Sequence, residues 1–166
     1  MIPYDKRSGK IWYNGKAVNW EDAQIHVLNH GLHYASCVFE GERVYDGEIF
    51  KLEEHTDRLF YSAKRMGIEM PFNQKEINDA SKSIVNIQKV KNGYVRPVIW
   101  RGSEMMAISA QKNKVHVAIA TWEWGSYFDP KLKIEGIRLN ISKWRRPAPN
   151  TIPWDTKAAG LYMICT

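Results

Sequence analysis

Cysteine is scarce. Two thiols, Cys37 and Cys165, in 166 residues cannot build a disulfide framework, and so few fit a reducing compartment. No stretch reaches the roughly 18 apolar residues of a membrane-spanning helix, so no membrane role is expected. The charged start, Asp5-Lys6-Arg7, is not followed by the apolar segment of a secretory leader, and a cytoplasmic location is expected. Clustered positive charge is also missing. The net charge is +6, but 24 Lys and Arg are interspersed with 18 Asp and Glu, which argues against a surface built on phosphate contacts to nucleic acid. There are no internal repeats and no low-complexity segments. What remains, 44% hydrophobic and 25% charged residues, is ordinary globular composition, and a chain of this size can bury a sizeable core.

Turn dipeptides and periodicity lay out the elements. Asn14-Gly15 between residues 11–13 and 16–20 predicts a β-hairpin, and Asp46-Gly47 predicts a second between residues 38–45 and 49–52. From residue 53 to 65 the pattern is helical, with Leu59, Ala63 and Met66 on one stripe and Gly67 where a C-cap falls. Asn73 followed by Glu76 reads as a capping box, opening a helix whose apolar face is Ile77, Ala80, Ile84 and Ile87. Residues 94–100, 115–122 and 137–142 read as strands. The pattern breaks at Phe128-Asp129-Pro130, so residues 129–135 are expected to link a small α+β domain over residues 1–128 to the beginning of a second domain over residues 136–166.

Several positions in this layout invite chemistry. His26, His30, His33 and Cys37 fall at i, i+4, i+7 and i+11, so on a helix they would share the face a zinc site needs. Gly31 weakens that helix and the segment runs into the strand-like Cys37-Val38-Phe39, so no metal is expected. Arg96 sits in an otherwise apolar strand, where a charge is costly unless an anion meets it. An ion pair with an acid of the chain and a bound ligand anion would both satisfy it. Arg58 lies off the apolar stripe of its helix, a position that solvent usually occupies. Trp124 and Tyr127 close a strand, where aromatics either cap a core or line a pocket. Lys157 follows Pro147, Pro149 and Pro153, which keep the backbone out of a helix, and precedes Ala158-Ala159-Gly160. A lysine in apolar surroundings loses hydration, which favours a neutral, nucleophilic amine. A solvated lysine at a helix start fits the same residues.

The order of separate motifs carries the reading further. Pro149-Asn150-Thr151-Ile152-Pro153, then Thr156-Lys157-Ala158-Ala159-Gly160 and Tyr162, resembles the cofactor-lysine segment of branched-chain amino acid aminotransferases, which are class IV, fold type IV enzymes dependent on pyridoxal 5′-phosphate (PLP). Tyr34, the run from Val38-Phe39-Glu40-Gly41-Glu42 to Arg43-Val44-Tyr45, Glu54-His55 with Arg58-Leu59 and Ser62-Ala63, Tyr94-Val95-Arg96-Pro97, and Trp124-Gly125-Ser126-Tyr127 follow that family's order and spacing. The resemblance thus covers almost the whole chain. It implies an α+β fold, the small N-terminal domain of the fold type IV aminotransferases plus the first part of a truncated second domain. It further implies PLP on Lys157, its phosphate on Arg58 and its phenolic oxygen on Tyr162. Substrate carboxylates are expected near Tyr94 and Arg96, and Tyr34, Phe39, Trp124 and Tyr127 are expected to form an apolar wall for Leu, Ile or Val.

The implied reaction is transamination with 2-oxoglutarate by a homodimer or higher homo-oligomer. The partners would be small-molecule amino and 2-oxo acids, with no nucleic acid or membrane. D-Amino acid aminotransferases and aminodeoxychorismate lyases share the wider group. The family is nearly twice this long, and the glutamate that meets the pyridine nitrogen follows the cofactor lysine. The rival reading is therefore a non-catalytic remnant acting through a partner chain.

Overall fold

Two hairpins frame a single sheet in the computed structural model, which describes residues 2–126 and 128–165. Strands β1 (Lys10–Tyr13) and β2 (Lys16–Asn19) turn at Asn14-Gly15, and β4 (Glu42–Tyr45) and β5 (Glu48–Ile49) turn in the same way at Asp46-Gly47. All four turn residues have positive φ, 48° and 91° in the first turn and 48° and 85° in the second. This is the type I′ geometry whose twist suits paired strands. With β3 (Cys37–Phe39), β6 (Gly93–Arg101) and β7 (Val115–Glu123), they form a seven-stranded antiparallel sheet in the order β2-β1-β7-β6-β4-β5, with β3 also paired to β6.

β3 and β4 share one edge of β6 and are separated by a step. β3 pairs through Phe39 and Val98, and β4 through Glu42 and Val95, which leaves Glu40-Gly41 between them. Opposite lies Pro97. Its carbonyl accepts a hydrogen bond from the Glu40 amide at 2.9 Å, but it has no N–H to return one. In a strand the N–H and C=O of one residue point the same way, so the missing donor faces the break.

Helices α2 (Leu52–Arg65) and α3 (Gln74–Gln88) cover one face of the sheet. Gly67, at φ 63°, ends α2 as expected. The Gly67 and Ile68 amides donate to the Lys64 and Ala63 carbonyls at 3.0 and 2.8 Å, the bond pair of a Schellman motif. The capping box is also present, with Glu76 N–H on the Asn73 side chain at 3.0 Å and Asn73 N–H on the Glu76 carboxylate at 2.7 Å. Leu59, Ala63, Ile77, Ala80, Ile84 and Val85 meet Val38, Val44, Val95, Ile99, Val117 and Ile119 in one buried cluster, which Ala158 and Leu161 join from the far end of the chain.

Three expectations need correction. Ile87 is 47% exposed. Val85 takes the inward position at that end of α3, and Ile87 lies about 200° round the helix from it. Residues 129–135, the expected linker, contain α4 (Pro130–Glu135), capped by the Asp129 carboxylate on the Lys131 amide at 2.8 Å, with proline at the first turn where it is tolerated. The segment before β3 holds a short helix, α1 (His30–Tyr34), capped by Asn29, although Gly31 argues against a helix there. Residues 137–142 are described without a strand. Ile137, Leu139 and Ile141 alternate as strand residues would, but all three are exposed, and a strand needs a neighbour to satisfy its backbone. Among the described residues no helix is long and apolar enough to cross a membrane.

The core also encloses Glu42. It is 1% exposed and neither carboxylate oxygen has a hydrogen-bond partner among the described residues. Burial, and after it the nearby Glu40 charge, push its pKa from the ordinary 4.5 up to about 8. Between these values only the folded state keeps the proton. The stability it contributes is therefore complete below the unfolded value and lost as the pH rises through the folded one. Urea midpoints should fall from pH 5 to pH 9 in the parent and fall less in Glu42→Gln, which is neutral throughout. The variant should be the more stable at pH 9 by on the order of 1–2 kcal/mol. Parallel profiles would mean that Glu42 titrates as a solvated acid.

Candidate active site

Backbone contacts fix Lys157. Its N–H donates to the Oγ of buried Ser62 on α2 at 3.0 Å, its carbonyl accepts from Phe39 N–H on β3 at 3.2 Å, and Ala158 forms a bridge with Val38. Just upstream, Thr156 folds back on Pro153, donating to its carbonyl from both N–H (3.2 Å) and Oγ1 (2.7 Å). The turn begun by the prolines is closed in this way. The Lys157 side chain lines a cleft of about 660 Å³ that it shares with Arg58, Arg146, Asp155, Tyr162 and Cys165. Nζ donates to Tyr162 Oη at 2.6 Å and lies 4.6 and 4.9 Å from the ring centres of Phe39 and Tyr162. Lys157 is half-buried, and among the described residues it meets a phenol and two ring faces rather than an acid.

Arg58 reaches the same cleft from α2 with one edge already occupied. Its Nε and Nη2 donate to the two oxygens of Glu40 at 2.6 and 2.8 Å, and His55 Nδ1 lies 2.8 Å from Glu40 Oε2. Glu40 is fully buried. Burial works to raise its pKa, but the hydrogen bonds from Arg58 and His55, the Arg58 charge and the Gly41 amide outweigh that and bring it down to about 2. The pairing with Glu40 in turn raises the pKa of Arg58. At the mouth of the cleft, Asp155 accepts from the Tyr61 hydroxyl and lies 3.4 Å from Arg65.

Arg96 is the opposite case. Its guanidinium lies 4.6 Å from the Phe39 ring centre and 5.3 Å from that of Tyr94, and Nη2 donates to the Tyr94 hydroxyl at 3.2 Å. Of the two alternatives open in the sequence, the internal ion pair is not found among the described residues, and Nε is buried without a hydrogen-bond partner. The Tyr94 ring packs against Trp124 (4.9 Å) and Trp122 (5.2 Å). Phe39 ties this group to the lysine, with its ring 5.0 Å from Tyr162.

Lys157, Tyr162, Arg58, Phe39, Tyr94, Arg96 and Trp124 therefore form one connected arrangement. Tyr34 stands apart from it. Its hydroxyl donates to the Met106 carbonyl and its ring packs on His30, although the next residue, Ala35, packs against Gly160 beside the lysine. Tyr127 lies outside the described residues. The histidine series does not share a helix face, because α1 holds only His30 and His33. His30 hydrogen-bonds Ser36 and the Ala107 carbonyl, His33 the Val27 carbonyl, and His26 the Leu28 amide. Burial pushes the Cys37 thiol up to about 11 despite the lowering effect of Arg96, which leaves it a poor ligand or nucleophile at neutral pH. Glu40, His55, Ser62, Arg146, Asp155 and Cys165, which line or support the cleft, carry no role from the sequence alone. The argument that marks Arg96, a charge inside an apolar strand, does not mark Glu40, because residues 38–45 also carry Glu42 and Arg43.

The family described as amino-transferase class IV matches residues 37–161. A branched-chain-amino-acid aminotransferase of Pseudomonas aeruginosa is 42% identical over 161 residues, covering 95% of this chain and 52% of that protein. The Escherichia coli K12 branched-chain-amino-acid aminotransferase is 37% identical over 163 residues, with 95% and 53% covered. Among solved structures, a T.th. branched-chain amino acid aminotransferase with pyridoxamine 5′-phosphate has a TM-score of 0.90 at 37% identity, covering 95% of this chain and 53% of that one. The Thermoproteus uzoniensis branched-chain aminotransferase with norvaline has a TM-score of 0.87 at 32% identity, with 95% and 54% covered. The chain spans about half the length of the relatives it matches.

The break between β3 and β4 yields a direct test of this geometry. A Cβ at Gly41 would run into the Tyr94 hydroxyl, the group that holds Arg96. Gly41→Ala should cost about 1–3 kcal/mol of stability, and Tyr94→Phe in the same chain should recover part of that, because it removes the nearer colliding atom but leaves the ring Cζ at 2.7 Å. Urea unfolding of the two single variants and the double variant measures the coupling. Simple additivity would show that the contact does not limit position 41.

Proposed function

The chain belongs to the class IV aminotransferases, and on that premise we propose that it is the lysine-bearing half of a PLP-dependent enzyme that transfers the amino group of Leu, Ile or Val to 2-oxoglutarate. The observation that carries the reading is the Lys157 amine, held 2.6 Å from the Tyr162 hydroxyl in a cleft shared with Arg58. This donor set fits PLP, with an amine for its carbonyl carbon, a phenol for its ring oxygen and a guanidinium for its phosphate. Bound there, PLP supplies the electron sink that makes the bond from Cα to hydrogen labile.

The chain's own residues would do the rest. Lys157 Nζ attaches the cofactor and, when free, takes up and returns a proton. Tyr162 Oη fixes where that nitrogen sits. Arg96, whose charge is cradled by Phe39 and Tyr94 with no acid paired to it among the described residues, offers itself to a substrate carboxylate. Phe39, Tyr94 and Trp124 give an apolar wall, to which we also assign Tyr127, while Tyr34, with its hydroxyl on the Met106 carbonyl, stands outside it. Such a wall accepts aliphatic side chains but separates one methylene by only about 1–3 kcal/mol.

The proposal extends to the organisation of the enzyme. Residues 1–128 form the small domain, 129–135 the connector and 136–166 the first part of the PLP-binding domain. The working form is a cytoplasmic homo-oligomer, consistent with two free thiols. Ile134, Leu139, Ile141 and Trp144 are exposed, and we assign their cover to protein that these 166 residues do not supply.

Borohydride reduction with PLP followed by peptide mapping should leave the pyridoxyl mass on Lys157, and Lys157→Ala should abolish it. An adduct on another lysine that survives Lys157→Ala would refute the assignment. With leucine, 2-oxoglutarate and PLP, the 166-residue chain alone should turn over at least roughly 100-fold more slowly than after the other half of a relative is supplied. Equal rates would show a self-sufficient site.

A further inference from the structure

Glu40 makes a contact for which no part of the reaction accounts. Its carboxylate is fully buried and its two oxygens face Arg58 Nε, Arg58 Nη2, His55 Nδ1 and the Gly41 amide, at 2.6, 2.8, 2.8 and 3.3 Å. The backbone beneath it is fixed where Pro97 interrupts the sheet, with the Glu40 amide on the Pro97 carbonyl. A carboxylate held on every side is a rigid anchor. The arginine it holds is not otherwise rigid. The Arg58 side chain is 53% exposed and would sample many rotamers if free.

We propose that Glu40 is a positioning residue, which clamps the Nε–Nη2 edge of Arg58 so that the remaining nitrogen, Nη1, faces the cleft as the donor for the cofactor phosphate. This rests on the reading of Arg58 as the phosphate ligand. Nη1 has no hydrogen bond among the described residues, and Arg58 lines the cleft that Lys157 enters.

The sign of one effect separates positioning from charge. Glu40 cancels the charge of Arg58, so removing it leaves an uncompensated cation beside the cleft. Coulomb attraction alone would then tighten anion binding. Positioning demands the reverse, because a freed guanidinium must be ordered again each time it meets the phosphate.

The test uses the 166-residue chain at pH 7.5, with borohydride trapping at Lys157 across a concentration series of PLP and, separately, of pyridoxal, which lacks the phosphate. The ratio of the two half-saturating concentrations measures what the phosphate contributes, and it is accessible even where binding is weak. Arg58→Ala should collapse that ratio. Glu40→Gln should lower it roughly tenfold through the PLP series alone, and should add nothing in the Arg58→Ala background. Arg58→Lys leaves the buried carboxylate in place and guards against a folding defect in Glu40→Gln. A single ammonium cannot hold Glu40 through two bonds while meeting a phosphate, so this variant should resemble Arg58→Ala. If Arg58→Ala leaves the ratio unchanged, the phosphate-ligand reading fails and the clamp with it. If Arg58→Ala collapses the ratio while Glu40→Gln raises it or leaves it alone, or if Arg58→Lys keeps it whole, that reading stands and Glu40 is not its positioning residue. Equal loss in both series for Glu40→Gln, with Arg58→Lys behaving as the parent, would assign Glu40 to folding only.

Discussion

Because Pro97 has no N–H to offer on the side facing β3 and β4, the sheet edge cannot run through that point as one strand, and four consecutive residues there each turn to a different task. Phe39 faces Lys157, Arg96 and Tyr162. Glu40 turns to α2 and holds Arg58 and His55. Gly41 leaves room for the Tyr94 hydroxyl, and Glu42 goes into the core. An unbroken strand would alternate its side chains between two faces, and Lys157, Arg58 and Arg96 could not all be reached from one short stretch.

The two arginines are solved differently, and the difference matches the proposed roles. Arg58 has a permanent counter-ion, so what it can offer an anion is direction more than net charge. That suits a cofactor that stays bound. Arg96 has no carboxylate partner among the described residues, and ring faces hold it in place without neutralising it. Such contacts are worth about 0.5–2 kcal/mol, less than a buried ion pair would need to be broken. A group that must release and rebind a substrate carboxylate in each cycle is better served by that weaker hold.

Features written in adjacent residues were legible in the sequence. The two hairpin dipeptides, the Asn73/Glu76 capping box and Gly67 after α2 each act within four or five positions, and each appears where expected. The prolines and small neighbours of Lys157 set it apart but fit a solvated lysine equally, and it was the order of several separate motifs along the chain that singled it out. Glu40 was not legible, because its partners lie 15 and 18 residues onward and only the packing of α2 on the break brings them together. Residues 137–142 failed in the other direction. Their alternation is strand-like, but alternation describes a face to be buried and does not provide the neighbour. Arg96 falls between the two, since its cost could be foreseen while the choice between an internal acid and an external anion needed the fold.

The same contrast runs through the molecule as a whole. The cluster formed by α2, α3 and the sheet takes in Ala158 and Leu161, so the backbone of Lys157 is tied to a core that this chain builds by itself. Residues 134–144 expose Ile134, Leu139, Ile141 and Trp144 instead. Burying such side chains is worth roughly 1.5–3 kcal/mol each, a driving force that the chain leaves unused. The position of the lysine is thus a property of this half of the fold. How far water is excluded from the cleft around it would depend on whatever covers residues 134–144. Attachment of a cofactor and rapid turnover should therefore be separable, the first set by the Phe39 and Ser62 contacts to the lysine backbone and the second by closure of the cleft.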